Sequence, residues 1–110
     1  MYFVRVSRIA ARRGQEERVR HLLGDLAQFI SLQEGCWTQF VLASSNAPRT
    51  FLRISIWQDK THADRAAMQS KAMALRSELM AWAESHPEED AYDLTWVSGS
   101  LPKMIAPKAA

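Results

Sequence analysis

The chain is 110 residues long, with a formal net charge of +2 and 47% hydrophobic residues. That is enough chain for one domain with a real core. The single cysteine, Cys36, excludes an internal disulfide and a thiol-based zinc site. The mild positive charge comes without a dense Lys/Arg stripe, Arg12–Arg13 being the only local cluster. Nucleic acid is therefore not an expected partner. No stretch approaches the roughly 18 apolar residues of a membrane span. The apolar residues of the opening segment precede its arginines, the reverse of a secretory leader, which points to the cytoplasm.

Residues 2–7, YFVRVS, alternate in character. Tyr2, Val4 and Val6 share one face and Phe3, Arg5 and Ser7 the other, as in a strand. Gly14 closes the following turn. From Gln15 to about Leu32 the residues Val19, Leu22, Leu23, Leu26 and Ile30 fall at helical spacing, with Glu16 and Glu17 in the first turn, where the helix dipole favours negative charge. Gly24 inside this helix costs about 1 kcal/mol against alanine and reads as a place of close packing. Glu34-Gly35 is the natural stop. Cys36 to Ala43 forms a second strand, and SSNAPR (44–49) is a loop of hairpin type.

Residues 51–57, FLRISIW, alternate strictly. Leu52, Ile54 and Ile56 make an aliphatic face suited to a dry core. Phe51, Arg53, Ser55 and Trp57 make a mixed face suited to a pocket wall or a wet interface. Asp59 or Thr61 caps the next helical region, with Thr61 and Asp64 spaced as a capping box. The region runs to about Glu84, with a break near Gln69-Ser70, and ends at His86-Pro87. Asp90 to Val97 alternates as a last strand. The domain is expected over residues 1–98, followed by a tail, 99–110, with two prolines and no periodicity.

The order β-α-β-β-α-β is the ferredoxin-like α+β plan, a four-stranded antiparallel sheet with its helices on one face. Its open face would be too apolar to leave in water, so two copies are expected to close sheet against sheet as a homodimer. In this plan the first strand lies beside the third, which brings Arg5 and Arg53 onto one face. Two arginines there need counter-charge. Either acids such as Asp93 supply it, or an anionic ligand does. Met68, Met73 and Met80 suit an adaptable pocket lining, although methionines at helical spacing also suit a core. Cys36 reads as a small buried hydrophobe.

Arg13-Gly14, the helix with Glu16, then Glu34-Gly35-Cys36, then Phe51 and Trp57 followed by a short polar gap and a helix, resemble the antibiotic biosynthesis monooxygenase (ABM) domain, over roughly residues 2–97. The resemblance implies a dimeric α/β barrel. It also implies cofactor-independent oxygenation of a small aromatic or quinol-type molecule, in which the deprotonated substrate itself reduces dioxygen. In the haem-degrading branch of the family the pocket uses an asparagine, a tryptophan and a helix histidine. Trp57 matches the tryptophan, the asparagine position falls on Ser7, and the histidine position falls on Ala66 or Ala67, so haem chemistry is not expected. His62 lies one helical turn earlier on the same face. It is either a displaced catalytic histidine beside Trp57 or a solvated first-turn residue. The substrate-binding candidates are Ser7, Arg5, Arg53, Ser55 and Met68. A non-catalytic ligand-binding or interaction module of the same fold is the rival reading.

Overall fold

The structure, a computed structural model, describes residues 2–99. The expected tail lies outside the described residues beyond Gly99. The elements are β1 (Phe3–Ala10), α1 (Glu16–Ser31), β2 (Cys36–Ala43), β3 (Thr50–Trp57), α2 (Lys60–Ala67), α3 (Ser70–Trp82) and β4 (Glu88–Asp93). The four strands form one antiparallel sheet in the order β2-β3-β1-β4. This is the expected ferredoxin-like α+β fold, with the second helical region divided in two.

The apolar stripe of α1 is fully buried, from Val19 to Ile30. It packs on Phe3, Ile9, Phe51 and Trp57 of the sheet and on Ala63 and Ala66 of α2. Gly24 is exposed, and a Cβ built on it meets nothing within 4 Å. The close packing expected there is absent. The helix ends at Ser31 with Leu32 as its cap, and Gly35 turns the chain into β2 with φ +83.

The cap of α2 is Asp59, whose Oδ1 accepts the His62 backbone N–H at 2.9 Å. The capping box expected from Thr61 does not form, because Asp64 is used elsewhere: it accepts from Arg5 and Lys60, each at 2.7 Å. The break falls where the sequence places it, with Met68 closing α2 and Gln69 opening α3 in extended conformation. Helix α3 packs against α1 rather than against the sheet. Its end is tied to β1 by backbone bonds from Glu84 to Ala10 and from Arg12 to Trp82.

Two expectations are corrected. Strand β4 begins two residues earlier than the alternation suggests, directly after Pro87, and stops at Asp93. All six of its residues are exposed, so alternation on this edge strand carries no burial signal. The two faces of β3 are also reversed. Phe51, Arg53, Ser55 and Trp57 are buried beneath the helices, whereas Leu52 and Ile54 lie on the open face and are only partly covered. Each face of this strand has enough apolar surface to pass as a core, and alternation alone does not say which one the helices choose. Tyr2 and Trp37 stack at 4.7 Å, leaving these two rings and Leu42 exposed. Among the described residues no helix is long and apolar enough to cross a membrane.

Candidate functional site

Register across the sheet assembles a polar patch beneath the helices. Ser7 pairs with Arg53 on one side and Glu89 on the other, forming one rung. The neighbouring rung carries Gln39, Ser55 and Arg5. Beyond it Trp57 faces Phe3. Arg53 therefore sits in the middle of the covered face, held by two central strands.

Arg53 is only 8% exposed. Its Nη1 donates to Ser55 Oγ at 2.8 Å and to Gln39 Oε1 at 3.3 Å, and the Ser55 hydroxyl in turn donates to Gln39 Oε1 at 3.3 Å. No carboxylate among the described residues forms an ion pair with it. The pairing with Asp93 does not form, since Asp93 lies opposite Phe3. Arg5 has its own counter-charge, Asp64 at 2.7 Å. Burial pushes the Arg53 pKa down, the Glu89 carboxylate opposes this, and the charges of Arg76 and Arg5 add to the depression. An arginine does not discharge under such pressure, so the charge remains and its desolvation is a standing cost. Two buried donors lack partners among the described residues, Arg53 Nε and Trp57 Nε1. Trp57 is 2% exposed.

Both donors belong to side chains that line two adjoining cavities, together a groove between the sheet and the helices α1, α2 and α3. Its narrow end, about 20 Å³, is lined by Trp57, Ser55, Arg5, Ile30, Ala63 and Ala67 among others. A wider section of about 170 Å³ is bounded by Ser7, Ile9, Leu23, Leu79, Met80 and His86 among others. Leu26, Arg53, Arg76 and Glu89 line both. The groove exists because α3 leans on α1 and stands off the sheet.

A family model described as antibiotic biosynthesis monooxygenase matches residues 2–74. The chain belongs to the ABM family. No curated protein matches it by sequence. The fold is shared with SnoaB, a cofactor-independent oxygenase from Streptomyces nogalater, at TM-score 0.78 and 18% identity, covering 87% of this chain and 95% of that one. It is shared with Rv0793 from Mycobacterium tuberculosis at TM-score 0.81 and 10% identity, covering 90% and 100%. A conserved protein from Methanosarcina mazei matches at TM-score 0.79 and 15% identity, covering 84% and 91%.

Within this ABM chain the groove gathers Ser7, Arg5, Arg53, Ser55 and Trp57. Two other candidates stand outside its lining. Met68, 71% exposed, closes α2 at the helix break, which turns its side chain outward. His62 is drawn away by two carboxylates: its Nδ1 lies 2.6 Å from Asp59 Oδ1 and its Nε2 3.5 Å from Glu34 Oε1. Its ring packs on Gly35, and Asp59 raises its pKa. The position where the family resemblance calls for a histidine is filled by buried Ala66 and by Ala67 at the narrow end. Among the described residues no group of three or more histidine, cysteine or acidic side chains is placed to hold a metal.

Sequence reasoning missed Gln39, Arg76, His86 and Glu89. The hairpin register would have placed Gln39 beside Ser55. Glu89 was hidden by the two-residue error in β4. His86 reads as a helix-end charge, and only the standing-off of α3 opens the space it borders. Cys36 is half-buried rather than buried, with its thiol pKa raised by burial.

Proposed function

We propose that this chain is a cofactor-independent monooxygenase that oxidises a small aromatic or quinol-type molecule in the groove beneath α1 and α3, working as a homodimer closed across its open sheet faces. The carrying observation is the buried Arg53, outside any ion pair among the described residues, in the same groove as Trp57 in an ABM fold. Oxygenation without a cofactor needs a substrate that is electron-rich once deprotonated. A fixed guanidinium in a dry site stabilises that anion and the reduced oxygen species that follows electron transfer. At an activated ring CH₂, one oxygen atom becomes the new C=O and the other leaves with the two hydrogens as water. His86 and Glu89 border the wider section and are its groups able to take the substrate proton. His62 is assigned a positioning role, holding the entry of α2 against Gly35.

The second reading is a ligand-binding module that performs no chemistry. Ala67 at the narrow end favours it, because α2 lines that end with Ala63 and Ala67 rather than with a titratable side chain. Haem is the reading supported least, since the same face offers alanines where an iron ligand would have to stand. Oxygen uptake over a panel of hydroquinones and anthrones separates the first two. Turnover that is lost in Trp57→Phe and Arg53→Met supports the oxygenase. Binding of a panel member with no uptake across the whole panel establishes the module.

A further inference from the structure

The charge balance of the groove says more about its ligand than the family does. Arg53 and Arg76 line both sections, and Glu89 is the single carboxylate that lines them. Arg5 is paired with Asp64, which Lys60 shares. Among the side chains that line both sections, at least one positive charge is left over. Part of it resides on a side chain more than nine-tenths buried, with its Nε unpartnered. A buried charge is ordinarily paired. Arg76 is exposed and donates through Nη1 to the Ala67 carbonyl at 3.1 Å, so its charge is not consumed by another side chain. Beside this junction the wider section of about 170 Å³ presents Ile9, Leu23, Leu26, Leu79 and Met80. That is close to the roughly 150 Å³ of an apolar cavity known to hold one benzene ring.

We propose that the groove takes an aromatic monocarboxylate, its carboxylate held at the junction by Arg53 and Arg76 and its ring seated in the apolar section. A carboxylate fits better than a phenol because it is ionised at neutral pH without giving up a proton to the protein. A single negative charge matches the surplus of the resting site. The Ser55–Gln39 pair fixes the guanidinium plane through Nη1. This inference rests on the groove being the substrate site, but not on the reaction that follows.

Binding is measured anaerobically by calorimetry with 2,5-dihydroxybenzoate, its methyl ester and hydroquinone, which share one ring and differ in charge. The acid is expected to bind wild-type protein at least tenfold more tightly than the ester or hydroquinone. Arg53→Met should abolish that preference, and Arg53→Lys should restore part of it. Equal affinity for acid and ester in the wild type overturns the proposal, and this comparison needs no variant to fold. An acid preference that persists in Arg53→Met overturns the role of Arg53. Oxygen uptake, measured separately, tests the reaction: preference without uptake removes the oxygenase and keeps the acid site, and uptake without preference does the reverse.

Discussion

Gly35 is where the path into β2 meets the entry of α2, and replacing it by alanine tests both. The residue sits at φ +83, and a Cβ built there would lie 2.4 Å from His62 Cγ and 2.6 Å from His62 Cβ. Two costs follow. The left-handed conformation itself costs an L-residue about 1–2 kcal/mol. The overlap adds about 1–3 kcal/mol, typical of overpacking, because His62 is pinned by Asp59 at 2.6 Å and has little room to retreat. Gly35→Ala should therefore lose about 2–5 kcal/mol in all. Gly14 is an internal control: it has the same φ of +83, with nothing within 4 Å of a built Cβ. Gly14→Ala should show the conformational cost alone, about 1–2 kcal/mol.

The two parts separate in a double-mutant cycle with His62→Ala, which removes the ring but not the backbone conformation. In that background the 2.6 Å approach to the Cβ of residue 62 remains, so Gly35→Ala should cost less than in wild type but still more than Gly14→Ala. The coupling energy, the share of the ring, should be about 0.5–3 kcal/mol, with the double variant more stable than additivity allows. Urea unfolding followed by tryptophan fluorescence gives each value, provided the slopes agree among variants. Additivity to within about 0.5 kcal/mol would refute the packing of His62 on Gly35. A loss no larger than that of Gly14→Ala would refute the overlap.

Gly24→Ala should raise stability by about 0.5–1 kcal/mol, because the glycine is exposed in mid-helix with open space beside it; thermal unfolding reads this directly, and a loss would show a packing role. His62 has its pKa raised above its ordinary 6.5, so its stabilisation is full below that value and lost as pH rises through the folded-state value. Asp59 has its pKa lowered from 3.8, so its share is present above that value and lost as pH falls through the folded-state value. The Tm difference between wild type and His62→Gln should therefore be larger at pH 5.5 than at pH 8.5, and an equal difference would dismiss the charged pair. Ile54→Lys on the open face should shift the protein toward monomer in sedimentation without unfolding it; an unchanged dimer would move the interface elsewhere. Arg53→Met should leave folding stability unchanged or raise it by up to about 4 kcal/mol, as when buried charges are replaced by apolar groups, and a large loss in urea unfolding would make Arg53 a structural residue.

The elements were legible because their signals are local. The stripe of α1, the alternation of β1 and β3 and the break at Gln69 each follow from backbone period and turn chemistry, and each is found. What stayed hidden depends on the third dimension. Alternation shows that β3 has two faces but not which one lies beneath the helices, and the aliphatic one was the wrong choice. The neighbourhood of Arg5 and Arg53 followed from strand order, yet the partner that neutralises Arg5 comes from α2, which no strand pattern reveals. His62 could have faced either way from its helix turn. The acids of Asp59 and Glu34 decide the direction, and Glu34 reaches it from the other side of the Gly35 turn.

The reversed face of β3 is also the point where folding and function part. Folding alone would favour Leu52 and Ile54 beneath the helices, since burying Arg53 and Ser55 adds desolvation without an ion pair in return. The chain instead surrounds that polar face with Leu22, Leu23, Leu26 and Ile30 and leaves two donors beneath them unpartnered. Each such donor costs about 1–3 kcal/mol, in a domain whose net stability is on the order of 10 kcal/mol. The Ser55 and Gln39 bonds to Nη1 and the charge of Glu89 offset part of the cost of burying Arg53. The aliphatic strip left on the outside needs cover of its own, and in the proposed dimer a second copy of the sheet would supply it. One choice of face thus accounts for both the charged groove beneath the helices and the apolar surface left on the open side of the sheet. That links the ligand-binding tests to the sedimentation test: a monomer with an inert groove would leave the reversed face of β3 with neither of the roles proposed for it.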